Sequence, residues 1–120
     1  MDGEISGPEL KEALGSTDLL IVDIRAPSQF EQRHIEGSVN VPMSELPQQI
    51  DRVSDADHVV TVCPHGQASI RAARLIQSFE GFEGRVESLS GGLAGWDGPV
   101  GGQAAESDQD RTQKSQDTPF

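Results

Sequence analysis

The sequence predicts a single α/β domain built on a small, mostly parallel sheet flanked by helices. Short apolar or β-branched runs lie at Leu19–Asp23 and His58–Val62, runs of this length suit buried strands, and Arg85–Leu89 reads as a further strand. Segments with helix-start signals or helical spacing lie between them. The chain has 120 residues, which suits one domain rather than two. Strands alternating with helices give a parallel sheet with right-handed crossovers, and ligand sites form beyond the C-terminal ends of the strands.

At the N-terminal side, Ser6 can cap a helix, Pro8 fits its first turn and Glu9 occupies the capping-box position. A helix is expected to about Leu14, stopping at Gly15. Leu19-Leu20-Ile21-Val22-Asp23 is a continuous apolar run closed by an acid, the pattern of a strand covered on both faces. Pro27 opens a short helix through Gln32. Ser38–Pro42 reads as a second strand ended by proline, and Ser44–Ile50 as a helix. His58–Val62 is a third strand with Cys63 at its end, and Pro64-His65-Gly66-Gln67 is a turn. From Ala68 to Phe79, Ile70, Ala73, Leu75, Ile76 and Phe79 recur at helical spacing, with Arg71, Arg74 and Gln77 between them. Arg85–Leu89 is a fourth strand. Gly91-Gly92 breaks the chain before a last short helix carrying Leu93 and Trp96. Residues 1–100 form the domain on this reading. Residues 101–120, rich in Gly, Gln, Ser and Asp, are expected as an acidic, polar, disordered tail.

Composition narrows the function classes. The formal net charge is −11, from 20 acidic and 9 basic residues. Lys11 and Lys114 are the lysines; the other bases are arginines. Such a surface repels nucleic acid and anionic membranes, so neither is expected as a partner. Dense carboxylates with few lysines suggest a halophile-like protein, kept soluble in high salt, rather than an ordinary acidic one. No apolar run is long enough to span a bilayer. Met-Asp-Gly-Glu-Ile at the start lacks the pattern of a secretory leader, so a cytoplasmic protein is expected. A single cysteine precludes an intramolecular disulfide. His34, His58 and His65 do not show metal-ligand spacing, and no metal or cofactor is expected.

Cys63 ends a predicted strand, a turn with proline and glycine follows, and a helix starts within a few residues. Ser69 sits at the helix mouth with a hydroxyl to donate. Unpaired N–H groups at a helix start and in a tight loop stabilise a thiolate, and Gly66 lets the backbone curl inward. Pro64 stiffens the loop but has no N–H to give. On the loop alone two readings stand: a nucleophilic thiolate, and a buried thiol in a loop chosen only for turning.

The wider pattern resembles the rhodanese family, specifically its single-domain sulfurtransferases, across nearly all of residues 5–100. Asp23-Ile24-Arg25 resembles the family's Asp-x-Arg after the first core strand. Phe30 and His34-Ile35-Glu36-Gly37-Ser38-Val39-Asn40-Val41-Pro42 resemble its His-Ile-x-Gly-Ala-x-Asn-x-Pro segment. Cys63-Pro64-His65-Gly66-Gln67-Ala68-Ser69, with Ala72, Ala73 and Leu75, resembles its active-site loop and helix. Gly91-Gly92 and Trp96 resemble its Gly-Gly-x-x-x-Trp ending. Order and spacing together make the signal strong.

The resemblance implies a reaction. Cys63 would attack a sulfane sulfur, as in thiosulfate, and become a persulfide; a thiol or cyanide acceptor would then take the outer sulfur. Pro64, His65, Gly66, Gln67, Ala68 and Ser69 would cradle the charged sulfur. The loop departs from thiosulfate-active relatives, many of which carry Arg or Lys within it. Here only His65 offers partial charge, with Arg71 one step into the helix. A dianionic donor is therefore expected to bind less well than polysulfide, a protein persulfide or a thiocarboxylate system.

Asp23 and Arg25 are expected as structural support, paired with each other. Arg74 is a solvated surface residue, His34 makes a loop hydrogen bond and Trp96 anchors the core. Gly91 and Gly92 make a tight turn beside the loop. A phosphatase of the Cys-x5-Arg type would need arginine at position 69, which is Ser69. A rhodanese-like binding module, a persulfide carrier without efficient turnover, and a purely structural domain are the other readings.

Overall fold

β2 (Leu19–Asp23) and β5 (His58–Val62) run side by side in parallel, in register from Leu19 opposite His58 to Asp23 opposite Val62. They form the middle of the protein. The structure, a computed structural model, describes residues 3–102. Around this pair lie β1 (Glu4–Ile5), β4 (Val39–Asn40) and β6 (Arg85–Leu89), in the order β1-β6-β5-β2-β4 with parallel pairing throughout. A separate antiparallel ladder joins β3 (His34–Ile35) to β7 (Val100–Gly101).

Alternation along the central strands divides the core. Val59 faces a cluster with Val22, Val53, Ala72, Ala73, Ile76 and Val86. Val60 and Val62 face the other way, toward Ile5, Leu10, Ile21, Ile35, Leu89, Leu93 and Trp96. This two-sided burial is why these strands read as unbroken apolar runs. α4 (Ala68–Ser78) covers the first face through Ala72, Ala73 and Ile76; full burial of a side chain like Ile76 contributes about 2 kcal/mol. Trp96 closes the second face, 4% exposed, and its Nε1 donates to the Pro99 carbonyl.

Local signals set α1 (Gly7–Ala13) and α2 (Pro27–Gln32). Glu9 N–H donates to Ser6 Oγ at 3.2 Å and Ser6 N–H to Glu9 Oε1 at 3.0 Å, a complete capping box.

The helix expected over Ser44–Ile50 is not there. A 3-10 turn spans Met43–Glu45, and α3 is confined to Asp51–Ser54. Pro47 is the reason: it cannot donate to the Met43 carbonyl, and Leu46 N–H turns to that carbonyl instead. The strand expected over Ser38–Pro42 shrinks to Val39–Asn40, beside β2. The last helix is a 3-10 turn, Leu93–Gly95, that stops before Trp96. The short strands β1, β3 and β7 were not legible in the sequence. β7 carries ordered pairing through Gly101, opposite His34; residues 103–120, most of the expected tail, lie outside the described residues.

Candidate active site

Cys63 follows the last residue of β5 and lies at the C-terminal edge of the sheet, 2% exposed. The loop after it is held from the opposite side by the segment following β6 (Arg85–Leu89). Leu93 N–H donates to the Cys63 carbonyl and Ala94 N–H to the Pro64 carbonyl, both at 2.9 Å.

Two glycines make this approach feasible. Gly66 has φ +90°, and a Cβ there would lie 2.9 Å from Gly91 N. Gly92 has φ +64°, and a Cβ would lie 2.4 Å from the Cys63 carbonyl oxygen and 2.6 Å from Gly66 N. Any side chain at Gly92 therefore pushes the loop away.

Around the sulfur, Gly66 N–H donates to Cys63 Sγ at 3.0 Å, and Ser69 Oγ lies 3.3 Å from it. Burial pushes the Cys63 thiol up, but the Ser69 hydroxyl and the Ser69, Gly66 and His65 amides outweigh it. The net displacement is downward, toward the thiolate. Pro64 has no N–H to contribute. Gln67 precedes the first turn of α4 without a side-chain cap, and Ala68 begins the helix.

Behind Ser69 lies a buried polar group that sequence reasoning missed. Ser88 Oγ is 2.6 Å from Ser69 Oγ, and Thr61 Oγ1 donates to the Ser69 carbonyl at 2.7 Å. Thr61 and Ser88 are register partners on β5 and β6. The hint in the sequence is one hydroxyl residue within each of these strands, Thr61 in β5 and Ser88 in β6.

Asp23 and Arg25 are paired. Arg25 Nε is 2.9 Å from Asp23 Oδ1, and Arg25 Nη2 is 2.8 Å from Asp23 Oδ2. Arg25 also donates to the Arg33 carbonyl. Asn40 Nδ2 donates to the carbonyls of Asp23 and Arg25. Neither member of the pair is bonded to Cys63; their place is in the wall beside the loop. Arg71 is exposed and lines a recess of about 360 Å³ with Gln67 and Ala68. His34 stacks on Phe30 and bonds its carbonyl through Nδ1 at 2.6 Å. Position 69, where a phosphate clamp would need a guanidinium, holds the buried Ser69 hydroxyl. Among the described residues no group of His, Cys, Asp or Glu side chains is gathered to hold a metal ion, and no helix is long and apolar enough to cross a membrane.

Residues 6–98 match the family described as Rhodanese-like domain. A protein of Stutzerimonas stutzeri named thiosulfate sulfurtransferase GlpE is 38% identical over 90 residues, covering 74% of this chain and 80% of that protein. The Bacillus subtilis protein YrkF is 30% identical over 96 residues, 79% of this chain; the chain spans only 51% of its length. The solution structure of the rhodanese-like domain of Anabaena Alr3790 superposes with a TM-score of 0.75 at 27% identity, over 98% of this chain and 89% of that one.

Proposed function

This chain belongs to the rhodanese-like domain family, and from that premise we propose that it is a sulfurtransferase carrying a sulfane sulfur as a persulfide on Cys63. The observation that carries the reading is the set of donors converging on Cys63 Sγ: the Gly66 amide at 3.0 Å, the Ser69 hydroxyl, and the His65 and Ser69 amides.

In the first displacement the Cys63 thiolate attacks the outer sulfur of the donor. With thiosulfate, a Sγ–S bond forms, the S–S bond of thiosulfate breaks, and its electron pair leaves on sulfite. In the second, a thiol or cyanide attacks the outer sulfur of the persulfide, and the electron pair returns to Cys63 as thiolate. Both displacements balance with these reactants alone. The donors stand in place around the Cys63 thiolate before it attacks and when the acceptor regenerates it, which is electrostatic preorganisation. Because Cys63 is 2% exposed, the slim end of a donor fits the approach and a bulky one does not. Thiosulfate, polysulfide and a protein persulfide all present such an end. The cytoplasm is the proposed compartment, since a lone thiolate nucleophile persists where thiols stay reduced.

Low exposure also favours a second reading, a persulfide carrier that loads well but turns over slowly. Intact-mass spectrometry after incubation with thiosulfate or polysulfide tests the loading step. The expected result is a gain of one sulfur atom, removed by cyanide and absent in Cys63→Ser. No adduct with any donor would overturn the proposal. Steady-state thiocyanate release then separates enzyme from carrier.

A further inference from the structure

On the β2 side of the cysteine loop, a recess of about 200 Å³ is lined by Arg25, Arg33, Pro64, His65, Leu93 and Ala94. It is continuous with the loop, since Leu93 and Ala94 donate their amides to the carbonyls of Cys63 and Pro64. Its charge runs against the rest of the chain, whose formal net charge is −11.

The two arginines are not equivalent. Arg25 is neutralised by Asp23, with side-chain exposures of 9% and 1%. Arg33 is exposed, and its guanidinium forms no ion pair or hydrogen bond with any described residue. Its main chain is fixed, because Arg25 Nη2 donates to the Arg33 carbonyl. The Asp23–Arg25 pair thus holds the backbone that carries, beside His65, a cation with no partner among the described residues. The cation absent from residues 64–69 is supplied from the end of α2 (Pro27–Gln32), far away in sequence.

We propose that this recess binds the anionic group of the sulfur donor, with Arg33 as the principal contact and His65 beside it. The ligand class is a small sulfane-sulfur donor bearing a sulfonate on the transferred sulfur or a carboxylate a short carbon chain away. Leu93 and Ala94 give an apolar floor for a short carbon linker. A guanidinium suits both groups, because its paired N–H donors match their oxygens. In an acidic protein this local field also offsets the repulsion that an anion meets on approach. The inference rests on the sulfurtransferase reading of Cys63.

The test uses the full chain and two matched donors, the persulfides of 3-mercaptopropionate and 2-mercaptoethanol, which differ in carboxylate against hydroxyl. Thiosulfate is the sulfonate arm. Arg33→Glu should lower kcat/KM for the anionic donors, relative to the hydroxyl donor, by roughly fivefold to tenfold, the scale of an exposed charge contact reversed in sign. Arg52→Glu, the same charge change on α3 before the N-terminal end of β5, should leave that ratio unchanged. A loss confined to thiosulfate assigns a sulfonate and a loss confined to the carboxylate donor assigns an organic persulfide; either supports the recess. An unchanged ratio in Arg33→Glu, or an equal fall in Arg52→Glu, overturns it. If wild type accepts sulfur from none of these donors, the sulfurtransferase reading fails. The recess is then judged by calorimetric titration of thiosulfate into Cys63→Ser with and without Arg33→Glu: weaker binding in the double variant supports it, and equal binding overturns it.

Discussion

Ser88 Oγ sits 2.6 Å from Ser69 Oγ, and both side chains are fully buried. Ser69 Oγ in turn lies 3.3 Å from Cys63 Sγ. A thiolate only accepts hydrogen bonds, so in that state Ser69 must donate to sulfur. Its oxygen is then free to accept from Ser88. Ser88 is thus a positioning residue that sets the direction of the Ser69 proton. Ser69→Ala should slow sulfur transfer at neutral pH by roughly tenfold, the scale of one hydrogen bond to a charged group. Ser88→Ala should slow it less. The double variant should be no slower than Ser69→Ala, because Ser88 acts through Ser69. Single-turnover kinetics checks the cycle; additive losses would show that Ser88 acts separately.

Alkylation gives the pH dependence. Burial opposes the Cys63 thiolate, but the Ser69 hydroxyl and the loop amides prevail, so its midpoint lies below that of an ordinary cysteine. The iodoacetamide rate should rise with pH through this lowered midpoint, and Ser69→Ala should move it upward. The linked stability has a definite sign. The folded thiol releases its proton at lower pH than the unfolded one, so the contribution is fully present above the unfolded value. It is lost as pH falls through the folded midpoint. Urea unfolding of wild type against Cys63→Ser should therefore show a difference that grows as pH rises across that window.

Gly91 and Gly92 should respond unequally to alanine. Both have positive φ, +79° and +64°, but a Cβ at Gly91 meets nothing within 4 Å. Gly91→Ala should cost about 1 kcal/mol of backbone strain and leave persulfide loading intact. A Cβ at Gly92 collides with the backbone of Cys63, Pro64 and Gly66. Gly92→Ala should cost more than Gly91→Ala in thermal unfolding and abolish loading, because the loop must move to accommodate it.

Asp23→Asn should destabilise the fold by about 3 kcal/mol, as expected when one partner of a buried ion pair is removed. The Arg25 guanidinium would remain buried without its countercharge. Neither residue is bonded to Cys63, so the alkylation midpoint should stay where it is. Denaturant unfolding and the alkylation profile, measured on one variant, separate the two effects. A shifted midpoint would place the pair in the electrostatics of the sulfur.

Much of the fold was legible in the sequence because its signals are local. The Ser6–Glu9 capping box, the β-branched runs of β2 and β5, and the helical spacing after Ala68 depend on residues a few positions apart. Pro47 shows the limit from the other side: the helix expected over Ser44–Ile50 gives way to a 3-10 turn over Met43–Glu45, because Pro47 has no N–H to continue the helical ladder. Strands β1, β3 and β7, of two residues each, carry no periodicity that a sequence can display.

The same division runs through the site. Sequence alone placed Cys63 at the end of a buried strand, before a loop of amides and a helix start, and the ordered family-like segments set the chemistry expected of it. Tertiary structure decided what stands around that sulfur. β6 lies beside β5 in a register that sets Ser88 opposite Thr61, which brings the Ser88 hydroxyl to Ser69. The segment after β6 folds back so that Gly92 meets the Cys63 carbonyl. The end of α2 brings Arg33 to the loop from thirty positions away. Local propensity and periodicity report burial and backbone conformation. Strand order and register decide which distant polar groups meet, and at Cys63 those groups direct the Ser69 proton and supply the nearby cation.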